Sequence, residues 1–183
     1  MPSRPGKAPP HAVLVNDFVH VFVDDQNLFF GALRKQRDSS FRVDFGELLS
    51  LVSRRSDGVA RPVARAYIAG VIPDDDSFWE IARNQGFEVL RGYLGSGRRS
   101  KQDDAHLITQ ITKTVFTRPG PSTVVLVAGD ADYVPPLMEA VGAGWRTEAA
   151  FHQEGFSSAL VNWVHEIRTI HPADYQLLKP RRR

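Results

Sequence analysis

Aspartates recur in this sequence in close pairs: Asp24 with Asp25, Asp103 with Asp104, and Asp130 with Asp132. The last pair follows VVLVAG, whose aliphatic residues run without alternation, the pattern of a strand buried on both faces of a parallel sheet. Asp130 and Asp132 therefore belong at that strand's carboxyl end, the edge at which open α/β sheets bind ligands. Two carboxylates held there repel one another unless a cation or a shared proton compensates. VHVFV at 19–23 ends in the same manner, in Asp24-Asp25-Gln26-Asn27. One of these residues suits a helix N-cap, but a cap does not require a run of them. Asp103 and Asp104 open a helix. The helix dipole accounts for Asp103, whereas Asp104 precedes Leu107 and Ile108 by three and four residues and so shares their apolar face.

The elements that must position these residues alternate between strand and helix. After a Pro-rich stretch at 1–16, expected to be a disordered lead-in, strand 19–23 feeds a helix containing Leu28, Phe29 and Leu33. A second helix over Phe45, Leu48, Leu49 and Val52 has Asp44 as its N-cap and Glu47 at the capping-box spacing. Strand 62–71 leads through a turn at Pro73 to a helix with Phe78, Trp79, Ile81 and Ala82. Strand 87–93 carries Glu88 and Arg91 and belongs near a sheet edge. A Gly-containing basic loop at 95–100 delivers Lys101, and a helix over 102–116 follows with Leu107, Ile108, Ile111 and Val115 on one face. Beyond the VVLVAG strand come a helix with Tyr133, Val134, Leu137, Met138 and Val141, an outer fifth strand at 147–151, and a helix over 157–167. There is no internal repeat. The pattern predicts an α/β three-layer sandwich with a mostly parallel sheet of about five strands.

A chain of 183 residues suits one domain. An apolar content of 42% with 24% charged residues is that of a globular protein and argues against disorder. The absence of cysteine excludes disulfides and thiolate metal sites and accords with a reducing compartment. No apolar run approaches the roughly 18 residues of a membrane span, and no signal-peptide core follows the basic N-terminus. A cytoplasmic address is expected. The net charge is +2, but eight cations fall in two acid-free clusters, Arg91, Arg98, Arg99 and Lys101, and then Lys179 with Arg181 to Arg183, leaving the rest at −6. An acidic body with basic patches suits a polyanion held beside carboxylates, although charge alone favours the plainer reading of a solvated loop and a frayed tail.

With the first and fourth strands as central neighbours, Asp24 or Asp25, Asp104, Asp130 and Asp132 converge at one sheet edge. Oxygen-only donors suit Mg²⁺ or Mn²⁺ rather than zinc. Such an ion activates water and offsets charge on a phosphate, so phosphodiester hydrolysis follows, with the basic loop holding the substrate backbone. No histidine assembles a triad. His106, His165 and His171 read as surface or interface residues, and His152, following a strand, is the one histidine within reach of the site.

VFVDDQNLF, then KQDD opening a helix, then LVAGDADYVPPL and a later EAAF strand resemble the NYN domain family, close to its LabA-like branch, within the PIN-like nuclease superfamily. The resemblance spans about 19–170, and implies a domain over 17–171 with a basic tail at 172–183. It implies metal-dependent, endonucleolytic cleavage of RNA with Mg²⁺ or Mn²⁺, and the sequence is as compatible with a homo-oligomer as with a monomer. By resemblance, Asp24 is the first-strand acid, Asn27 the amide that orients the site, Asp104 the acid of the Lys-x-x-Asp motif begun by Lys101, and Asp130 and Asp132 the Gly-Asp-x-Asp pair. These four aspartates would be the metal ligands and catalytic residues, with Asn27, Arg98, Arg99 and Lys101 facing the substrate. Two positions depart from the pattern: Gln110 stands where a further acid is common, and Ala128 where serine is usual. The first departure opens a second reading, a catalytically silent module that binds RNA or protein. Within each tandem pair the preferred acids are Asp24 and Asp104, with Asp25 and Asp103 as the alternatives. A phosphotransfer receiver domain is a poorer reading, because its acceptor would have to be Asp74, in a turn after the second strand rather than closing a third. A haloacid-dehalogenase-type phosphatase needs an Asp-x-Asp at the first strand, which is absent.

Overall fold

The uninterrupted aliphatic runs form the centre of a sheet. The computed structural model describes residues 16–36, 41–71, 77–92 and 102–177. Its strands are β1 (Val19–Asp24), β2 (Val63–Val71), β3 (Phe87–Gly92), β4 (Thr123–Val127), β5 (Arg146–Phe151) and β6 (Glu166–Thr169). They lie in the order β3-β2-β1-β4-β5-β6, every neighbouring pair parallel. The chain runs outward from β1 through β2 to β3, crosses back to β4, and runs outward the other way. The order therefore reverses between β1 and β4. At such a switch point the connecting segments part on opposite sides and leave a crevice beyond the strand ends.

Both central strands are buried along their length, because helices cover both faces. On one face Val19, Val21 and Val23 of β1 and Val125 and Val127 of β4 share a core with α1 (Asp25–Gln36), α2 (Phe45–Ser53) and α3 (Ser77–Asn84) through Leu28, Leu48, Val52 and Trp79. On the other, Phe22, Val124 and Leu126 meet Leu107, Ile111 and Val115 of α4 (Gln102–Thr117), and Leu137 and Ala140 of α5 (Val134–Gly142). Strand periodicity thus assigns His20, Phe22 and Asp24 to the α4/α5 side. This is the expected three-layer α/β/α sandwich, with two differences. The sheet is wholly parallel, and it has six strands rather than about five.

The sixth strand corrects two expectations. The helix expected over 157–167 is instead a short 3₁₀ segment, Ser158–Trp163, followed by β6, so β5 is flanked on both sides and is not the outer strand. Leu160 and Val164 are buried as helical spacing demanded, while Val161 is exposed; two anchored residues four apart satisfy either conformation. Asp44 caps α2, accepting the Glu47 N–H at 3.0 Å. β3 is the opposite edge strand, as its charges required.

A buried ion network ties the amino edge together. The Arg61 guanidinium makes a bidentate contact with Glu148 of β5 at 2.9 and 2.8 Å, and its Nε donates to the Ser53 carbonyl at the end of α2. Arg146 bridges Glu148 at 2.7 Å and Glu166 of β6 at 2.8 Å. Burial alone would raise the Glu148 pKa, but the hydrogen bonds and charges of Arg61 and Arg146 outweigh it and hold the carboxyl below its usual range. No described helix is long and apolar enough to cross a membrane.

Candidate functional site

Asp24 closes β1 at the switch point and is only 4% exposed. Each of its carboxylate oxygens is held: Oδ1 accepts the backbone N–H of Asn27 at 2.9 Å, and Oδ2 accepts the Tyr133 hydroxyl at 2.9 Å. Asp104, in the first turn of α4, is hydrogen-bonded to the same carboxyl. Burial raises the Asp24 pKa to about 7; the Asn27 N–H and the Tyr133 hydroxyl oppose the rise, and the Asp104 charge and hydrogen bond add to it. Two acids are thus brought together on the α4 side of the β1 end, where their mutual repulsion calls for a cation or a shared proton.

Asn27 joins the two strand ends. Its side-chain carbonyl accepts the Gly129 N–H at 3.0 Å, linking the turn after β1 to the turn after β4. Gly129 sits in a close approach: a Cβ there would lie 2.3 Å from the Gly155 carbonyl oxygen and against the Phe151 ring. Only a hydrogen fits, which gives the glycine of Gly-Asp-Ala-Asp a packing reason. Asp130 then caps a short 3₁₀ turn, Ala131–Tyr133, accepting the Asp132 N–H at 3.3 Å. Burial raises the Tyr133 hydroxyl's pKa, and the charges of Asp24, Asp104 and, least, Asp130 add to the rise. Asp130 and Asp132 are both exposed at this edge.

The expected residues divide accordingly. Asp24 and Asp104 are in contact, Asp130 is within electrostatic reach of Tyr133, which donates to Asp24, and Asp132 lies at the same edge with its N–H donated to Asp130. Asp25 begins α1 beside β2, where a Cβ on Gly70 would lie 3.2 Å from its own. Gln110 is half-buried on α4 and Ala128 is buried. Arg98, Arg99, Lys101 and Asp74, with the segments 1–15 and 178–183, lie outside the described residues, as does the Asp103 side chain. His152 does not join the site. Its ring is enclosed beside Gly31 and Phe151, and its Nε2 meets the Tyr175 hydroxyl. The sequence pattern makes Tyr133 one apolar member of a helix; in the structure it precedes that helix, and its hydroxyl is the part that matters. The signal available was its place directly after Asp-Ala-Asp.

The donor set fits a hard divalent cation in kind, since Asp24, Asp104 and Asp130 offer only carboxylate oxygen. In arrangement it stops short: among the described residues no group of three His, Asp or Glu side chains forms a metal-binding cluster as it stands.

Strand order and acid placement define the class, a doubly wound α/β protein with a carboxylate site at its switch point. A model of the NYN domain matches residues 18–171, and the chain belongs to the NYN domain family, whose fold is that of PIN-like nucleases. A crystal structure of a protein of unknown function from Vibrio parahaemolyticus superposes with a TM-score of 0.70 at 19% identity, covering 88% of this chain and 97% of that one. That likeness is one of fold. No curated protein matches significantly.

Proposed function

We propose that the protein is a metal-dependent ribonuclease of the LabA-like branch, cleaving RNA endonucleolytically at the β1/β4 edge. The observation that carries this reading is the contact between buried Asp24 and half-buried Asp104 at the switch point, braced by Asn27 and Tyr133. Family membership supplies the nuclease class. Asp24, Asp104, Asp130 and Asp132 would hold Mg²⁺ or Mn²⁺, which when bound supplies an activated water and offsets charge on the phosphate. The chain's own work is positional. Tyr133 and the Asn27 N–H fix the Asp24 carboxylate in one rotamer, Asn27 keeps the two acid-bearing turns in register, and Asp130 presents its carboxylate from the exposed side. Arg98, Arg99 and Lys101 would hold the RNA backbone through phosphate contacts.

A second reading, a silent RNA- or protein-binding module, is favoured by Gln110 and by the lack of a ready three-carboxylate cluster among the described residues. Incubation of looped RNA with the protein and Mn²⁺ separates them. The nuclease reading expects internal cleavage that Asp130→Asn abolishes while the circular dichroism spectrum is retained. Calorimetric Mn²⁺ titration should show binding that the same variant loses. RNA retention without cleavage at any Mn²⁺ concentration would support the silent module.

A further inference from the structure

A second concave site lies at the other end of β1. Asn16, Phe18, His20, Ala64, Arg65, Arg118 and Pro119 enclose a pocket of about 280 Å³. It is separate from the acid edge: His20 precedes Asp24 by four residues on one strand, about 13 Å at the strand rise.

Four features of this pocket point to a ligand. First, two guanidiniums line it from different elements, Arg65 from β2 and Arg118 from the residue after α4, and no carboxylate among the described residues lines it. Arg118 has no ion-pair partner among the described residues, and Arg65 reaches Glu88 only through an exposed contact of 3.6 Å, too weak to satisfy it. Second, His20 is 4% exposed, and its Nδ1 has no hydrogen-bond partner among the described residues, which is unusual for a buried polar atom. Third, the charge is felt inside: burial, then Arg118, then Arg65 push the His20 pKa down to about 4. Fourth, Pro119, Ala64 and the 45%-exposed Phe18 ring give the pocket an apolar wall. An arginine following α4 is favourable against the helix dipole, but that explains neither Arg65 nor the unpartnered imidazole. The neighbouring charged pocket at this edge differs, for there Arg61 and Arg146 are matched by Glu148 and Glu166.

We propose that this pocket binds a small phosphate monoester bearing a flat apolar group, its phosphate between Arg65 and Arg118 and its apolar part against Phe18 and Pro119. A phosphate monoester carries between about −1.5 and −2 charges at neutral pH, which balances two guanidiniums where a carboxylate would balance one. Guanidinium forks match its oxygens. The volume exceeds what a bare anion needs and lies just under the usual range for small-molecule sites, roughly 300–1,000 Å³.

The test is titration of the full-length ¹⁵N-labelled protein with phenyl phosphate, followed through the amides of Phe18, His20, Arg65 and Arg118. The indole N–H of Trp145, whose ring lies 5.4 Å from that of His20, is a further reporter. Saturable shifts at these positions are expected, with inorganic phosphate and phenol each binding more weakly. Arg118→Gln, a change at an exposed position, should weaken binding about tenfold or more, and Asp130→Asn should leave it unchanged. Absence of saturable shifts, undiminished binding by both Arg118→Gln and Arg65→Gln, or loss of binding in Asp130→Asn would each overturn the proposal. The last outcome would assign the phosphate to the acid edge instead.

Discussion

A single hydroxyl sets the conformation of the central carboxylate. Tyr133 has no exposure and donates to Asp24 Oδ2, so Tyr133→Phe keeps the ring packing and removes only the hydrogen bond. Groups that orient ligating residues in this way are typically worth about 10–100-fold in metal affinity or activity. Mn²⁺ affinity and RNA cleavage by Tyr133→Phe should fall within that range while thermal unfolding changes little; unchanged cleavage would make Tyr133 purely a packing residue. His20 has a consequence for acid stability. Its folded pKa, about 4, lies below the ordinary value of 6.5, so the unfolded chain binds its proton more readily. The stabilisation from the neutral ring is therefore complete above about pH 6.5 and is lost as pH falls toward 4. Unfolding by urea at a series of pH values should show a smaller loss over this window for His20→Phe than for the wild type.

At the scale of elements, two tight junctions hold the site and the sheet. The turn after β4 passes so close to Gly155 that a methyl group cannot be inserted. Gly129→Ala should cost about 1–3 kcal/mol and displace the N–H that Asn27 accepts; chemical denaturation measures the first effect and RNA cleavage the second. At the opposite edge, Glu148 joins α2, β5 and β6 through Arg61 and Arg146. Glu148→Gln leaves the Arg61 guanidinium, 2% exposed in its side chain, without a counter-charge in the interior, and removing one partner of a buried pair typically costs about 3–5 kcal/mol. A loss of that size in the denaturation midpoint is expected, and a loss below about 1 kcal/mol would mean the pair behaves as a surface one.

At the scale of the whole molecule, the two candidate sites lie at opposite ends of β1 and differ in charge. Acids gather at the carboxyl ends of β1 and β4, while Arg65 and Arg118 stand at the amino end of β1 without the carboxylates that match Arg61 and Arg146, and the sheet between is apolar on both faces. If the acid edge cleaves RNA and the amino edge binds a phosphate monoester, the two activities should separate, Asp130→Asn abolishing cleavage and sparing phosphate binding and Arg118→Gln weakening binding and sparing cleavage. Loss of both in either variant would indicate a single shared site.

Much of this was legible in the residues themselves. An unbroken aliphatic run has no polar face to offer water, so VVLV and VFV had to become central parallel strands, and the aspartates following them had to stand at a common sheet edge. The Asp44 cap rests on equally local chemistry. Tandem acids were different. Strand periodicity puts Asp24 with Phe22, but which face α4 would cover depends on how the chain crosses back from β3 to β4, and only that crossing brings Asp104 to Asp24 rather than to Asp25. The same holds for Tyr133 and Asn27, whose partners lie 109 and 102 residues away along the chain. β6 stayed hidden because EIRT is short, alternates in burial and gains its identity from pairing with β5. Local composition determined which elements form and where the acids cluster; which acids meet and which hydroxyl steadies Asp24 was decided by contacts between residues far apart in sequence, which no local pattern encodes.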